Sequence, residues 1–141
     1  MDVPVNYLAV LTAAIASMAI GFLWYSPSLF GKPWMKLMGH TVESMKSAQK
    51  KMGMLYGLSF VLSLVTAYVL THVMVFGQSY LGYTPLMGGL SSAFWMWLGF
   101  VMPVQATDAI FGGKKWALVG INTGYQLAAL LAMGFVIGLM G

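Results

Sequence analysis

The chain contains no cysteine and no arginine, and little charge of either sign: seven lysines and three acids, 7% of 141 residues. Without cysteine there is no disulfide, no thiol catalysis and no Cys-ligated metal. A soluble domain carries roughly 25% charged residues, so this chain has too few to clothe a water-facing surface. Its net charge of +4 is all lysine. A nucleic-acid surface would set Arg and Lys along a face with exposed aromatics, so no nucleic-acid partner is expected. Enzymatic signatures are missing as well: there is no phosphate loop, no HExxH and no carboxylate pair. A non-enzyme with no cofactor and no metal is the expectation. What the chain has in abundance is apolar surface, 60% hydrophobic residues and a mean hydropathy of +0.82. The solvent that fits is a lipid bilayer, and the length allows one domain, residues 1–141.

Four apolar runs are long enough to cross a hydrocarbon core, at about 5–24, 54–76, 86–104 and 116–140. They predict an all-α membrane protein, a bundle of four transmembrane helices. Residues 1–4 hold Asp2 and no lysine, so the first run is read as a span and not as a cleavable signal, which needs a positive start. Ala9, Ala13, Ser17 and Gly21 recur every fourth residue and offer a stripe where another helix can come close. Ser59, Ser63 and Thr66 share a face of the second run and are expected to point at protein. Pro103 is expected to end the third run.

The most specific stretch is the corner after the first run, Gly21 to Trp34, GFLWYSPSLFGKPW. Trp24, Tyr25 and Trp34 are rings of the kind that sit at the headgroup level. Pro27 and Pro33 each deny a helix one N–H, and the chain restarts through Phe30, Gly31 and Lys32. A second stretch has similar letters: Gly99-Phe100 leads to Phe111-Gly112-Gly113-Lys114-Lys115-Trp116. The match leaves two readings open, a duplication into two parallel-repeat hairpins and a coincidence in a Gly- and aromatic-rich chain. The corner is expected to be a rigid clamp docked on Asp108 to Trp116, with Lys32 meeting Asp108.

All seven lysines lie after the first and third runs. By the positive-inside rule those connectors are cytoplasmic and both termini are outside. Residues 35–52 set Lys36, Lys46, Lys50 and Lys51 against Val42, Met45 and Met52. This fits a short interfacial helix on an anionic inner leaflet, or a merely solvated connector.

Few polar groups fall inside the runs. His72 lies about 27 Å along the second run, near the outer interface, and reads as an ordinary hydrated histidine. Asp108 sits near the inner interface among lysines, where an ion pair is preferred over a proton or substrate role. Gln126 is about 15 Å into the fourth run, with Asn122 a turn earlier and Gly120 and Gly124 beside them. Interhelical hydrogen bonding is the preferred reading of this group, and a polar lining formed by Asn122, Tyr125 and Gln126 the competing one.

The corner GFLWYSPSLFGKPWMK, the later WMWLGFVMP and the closing NTGYQLAALLAMG together resemble the bacterial family called domain of unknown function 1761. The resemblance covers nearly the whole chain. It implies a small four-span integral membrane protein, and it implies no activity; the expected location is the bacterial cytoplasmic (inner) membrane. Segment QATDAIFGGKKW is only loosely similar, so Asp108 takes no role from it. Two functions from different classes remain: a packing or partner subunit, self-associating or bound to a larger membrane protein, and a small oligomeric transporter or channel.

Overall fold

The computed structural model describes residues 3–141; Met1 and Asp2, and with them the reading of the chain's polar start, lie outside the described residues. The described chain is helical, with no strand, and four of its helical stretches are long and apolar enough to cross a membrane. Helix α1 (Tyr7–Trp24) begins under an Asn6 cap, whose side chain accepts the Ala9 N–H at 3.2 Å. Two short helices follow, α2 (Gly31–Met38) and α3 (Val42–Ala48), then α4 (Met52–Leu81), α5 (Pro85–Met96), α6 (Met102–Gly112) and α7 (Trp116–Met140).

The long helices run up and down in chain order. Each of α1, α4, α5 and α7 packs on the next, and α7 closes the ring against α1. At one end Trp24 and Tyr25 meet Ile121 and Asn122; at the other, the Asn6 amide donates to the Met140 carbonyl at 3.1 Å. Antiparallel neighbours therefore put all seven lysines at one end of the bundle, called here the lysine end.

Small residues set the packing distance. Ala9, Ala13 and Ser17 of the predicted stripe are buried, and Gly21 lies against the Tyr125 ring. Between α5 and α7 the backbones of Gly89 and Gly134 come so close that a Cβ on either would strike the other's carbonyl. Leu70 and Met74 of α4 fill the space that remains. The Gly89–Gly134 contact and the buried residues of α4 lie toward the end away from the lysines. Helix α4 buries Ala67, Leu70, Thr71 and Met74, but nothing before residue 67. At 30 residues it is about 45 Å long, and its first half is mostly exposed, with Leu64 partly buried against the core and Tyr56 edge-on to Phe22 at 5.1 Å.

Three expectations change. Pro103 does not end the third span: a π turn over Trp97–Val101 joins α5 to α6, Pro103 sits in the first turn of α6, and the helix continues to Gly112. The first turn needs no N–H donor from proline, so the residue is tolerated there. Residues 35–52 are not one helix. Gly39, at a φ of 74°, closes α2, and Thr41 with Ser44 forms a capping box that starts α3, which runs through a short 3-10 turn into α4. Finally, Ser59 is exposed, and the Ser63 and Thr66 hydroxyls donate to Ser59 O and Leu62 O of their own helix instead of to a neighbour.

Candidate functional site at the lysine end

The corner between α1 and α2 is built by its own backbone. Phe30 N donates to Trp24 O at 3.0 Å and Gly31 N to Ser26 O at 2.9 Å, which folds residues 25–30 into a compact turn around Pro27. Gly31 is buried there, and a Cβ on it would run into the Tyr25 and Ser26 carbonyls. That close approach explains the glycine after Phe30. Pro33 falls in the first turn of α2, where its missing N–H costs nothing.

The turn aims two rings at α7. Trp24 lies over Gly124, donates its indole N–H to Ile121 O at 3.0 Å, and packs on Phe30 with ring centroids 4.8 Å apart. Tyr25 donates its hydroxyl to Asn122 Oδ1 at 2.7 Å and sits edge-on to both Trp34 and Tyr125. Burial, with Tyr125 adding to it, pushes the Tyr25 phenol up to about 12, so it remains a neutral donor. Tyr125 in turn donates to Ser17 O at 3.3 Å. From the other side Trp97 donates to Thr123 O at 2.7 Å. This bond satisfies the indole N–H of a tryptophan inside the third span.

The corner thus docks on α7, and not on Asp108 to Trp116 as the sequence suggests. Lys32 is exposed and Asp108 pairs with Lys114. The physical reason is local: Gly113, at a φ of 66°, ends α6 and turns the chain back, so Lys114 reaches Asp108 across a six-residue separation. Closing so short a loop orders far less chain than meeting Lys32 would. Phe111 and Trp116 are 88% and 63% exposed and take no part in the corner. Nor do the two similar motifs occupy matching places, since Phe30–Gly31 opens a helix and Phe111–Gly112 closes one.

Beside the docked corner lies a cavity of about 310 Å³, walled by Tyr25, by Gln105 and Asp108 of α6, and by Asn122, Tyr125 and Gln126 of α7, with Lys114 at its rim. All three residues of the predicted polar lining face it. Asn122 is also the interhelical hydrogen-bonding group expected, whereas Gln105 and Gln126 have no side-chain hydrogen bond among the described residues. Gln105 escapes the sequence reading because a helix stopped at Pro103 would leave it in a connector. In the continuous helix, Gln105 and Asp108 are three apart and share a face. His40 packs on Trp34 at the lysine end, while His72 bonds Tyr68 O on α4 near the other end, so the two histidines share no site.

The profile of the family described as Protein of unknown function (DUF1761) matches residues 8–138, the full extent of the bundle and its corner. The chain belongs to this family. Comparisons with curated proteins and with solved structures gave no match. The family assignment covers both the corner and the cavity and brings no activity to either; the four long apolar helices mark the chain as a multi-pass membrane protein.

Proposed function

We propose that the protein is a non-catalytic membrane subunit that works by packing, against a second copy of itself or a larger membrane protein. The observation that carries this reading is the first half of α4. Gly53 and Gly57 stand one turn apart there, and a Cβ at either would meet only open space. Glycine in a helix costs about 1 kcal/mol against alanine, and in a membrane it is useful where a neighbouring backbone comes close. Among the described residues none comes that close to either glycine, so the stripe suits a helix from another chain. The non-catalytic part of the reading rests on the available residue types: no thiol, no paired carboxylates, and histidines in separate places.

The lysine end is proposed to face the cytoplasm and an anionic inner leaflet, with both chain ends on the other side. The setting fits a bacterial cytoplasmic membrane, on the lysine distribution and the family resemblance. Ser79 and Ser47 are both exposed and lie toward opposite ends. Cysteine at position 79 should react with an impermeant reagent on intact cells, and cysteine at position 47 only after lysis; the reverse pattern overturns the orientation. For the packing role, the protein mass of the detergent-solubilised particle should exceed one chain and fall to one chain in Gly57→Leu. A parent particle holding a single chain and no other protein contradicts the reading.

A further inference from the structure

We propose that the cavity at the lysine end is a binding site for a small zwitterion carrying a primary ammonium and an anionic group. This goes beyond the packing role and does not depend on it. The cavity's volume, about 310 Å³, admits a solute of several heavy atoms and not just a single water. Its walls hold hydrogen-bonding capacity that the protein leaves unused. Asn122 Oδ1 is taken by the Tyr25 hydroxyl, so the Asn122 amide N–H groups remain free, and the Gln105 and Gln126 carboxamides, both partly exposed, make no side-chain hydrogen bond among the described residues. These carboxamides line the cavity wall partly exposed, free to hydrogen-bond an occupant rich in donors and acceptors.

The charge at the rim selects among such occupants. Asp108 and Lys114 face each other as one pair of no net charge. A ligand of single sign would take one member and leave the other without its partner. A zwitterion inserts between them: its ammonium takes the Asp108 carboxylate, its anion takes the Lys114 ammonium, and each charge keeps an opposite partner. Charge-assisted hydrogen bonds at each end then fix its direction, with the carboxamides of Gln105, Asn122 and Gln126 behind. Two sources carry this chemistry, a free α-amino acid entering from water and the headgroup of an ethanolamine phospholipid entering from the leaflet.

Calorimetric titration of the intact detergent-solubilised protein separates them, using L-alanine, a short-chain phosphatidylethanolamine, and the matching phosphatidylcholine, whose trimethylated nitrogen has no N–H to give. Saturable binding of alanine alone assigns the site to a soluble zwitterion, and of the ethanolamine lipid alone to a headgroup; either supports the proposal. Asp108→Asn, at an exposed position, should weaken that binding roughly tenfold or more, the loss of one charge-assisted hydrogen bond, and Gln126→Leu should weaken it less. No binding of either zwitterion overturns the proposal. So does equal binding of phosphatidylcholine by the parent protein, or binding that Asp108→Asn leaves unchanged.

Discussion

Two corners of this molecule are written in nearly the same letters and have opposite fates. Phe30-Gly31-Lys32-Pro33-Trp34 is folded against α7 with its glycine buried under backbone and its aromatic neighbours in contact. Phe111-Gly112-Gly113-Lys114-Lys115-Trp116 projects from the end of α6, its two rings exposed. What separates them is the chain before each motif. Residues 25–30 fold back on themselves through backbone hydrogen bonds and bring Trp24 and Tyr25 onto a glycine-bearing face of α7. The other motif follows a helix that continues from a π turn, and its chain turns at Gly113 so that Lys114 pairs with Asp108 of the same helix instead of docking on a neighbour. An aromatic-glycine-lysine motif becomes a clamp only where the preceding turn delivers it to a helix that can receive it.

The comparison can be broken or sharpened by substitution, with thermal or denaturant unfolding in one detergent as the readout. Trp24→Ala should have the largest effect, about 3 kcal/mol or more of stability lost, because it removes a large packed ring and one hydrogen bond. The paired glycines should come next and differ in sign. Gly31→Ala drives a Cβ into two carbonyls and should destabilise by about 1–3 kcal/mol. Gly112→Ala meets only the Lys114 side chain, 3.9 Å away, and should be neutral or stabilise by up to about 1 kcal/mol. Asn122→Ala removes the acceptor of the Tyr25 hydroxyl and should cost about 0.6 kcal/mol, the usual size of such a bond between membrane helices. Smallest of all, Asp108→Asn should leave unfolding unchanged within error, since both members of its ion pair are more than half exposed. Equal damage from Gly31→Ala and Gly112→Ala would erase the distinction between the corners.

The spans and their close contacts are legible in the sequence because the bilayer imposes them: apolar length reveals Tyr7–Trp24 and Trp116–Met140, and four-residue spacing reveals Ala9, Ala13, Ser17 and Gly21. Pro103 misleads because a π turn upstream lets the helix restart with proline in its first turn, a backbone adjustment that single residues do not announce. The polar lining is half legible. Asn122, Tyr125 and Gln126 share a stretch of α7, but that Gln105 and Asp108 join them depends on α6 continuing past the proline. The clamp is recognisable by its prolines and aromatics; its docking partner is not, because Lys32 and Asp108 match in charge while the contact that forms is between a ring and a glycine.

Gly124→Ala, made in the parent and again in Trp24→Ala, tests that contact most directly. A Cβ at position 124 would stand 3.0 Å from the Trp24 ring. The ring cannot easily retreat, being hydrogen-bonded to Ile121 O and packed on Phe30. The account predicts that Gly124→Ala lowers the melting temperature of the parent and leaves that of Trp24→Ala unchanged or raised, since alanine is the better helix former once the ring is gone. The same change in both backgrounds would mean that Trp24 does not rest on α7, and the docked corner would be wrong.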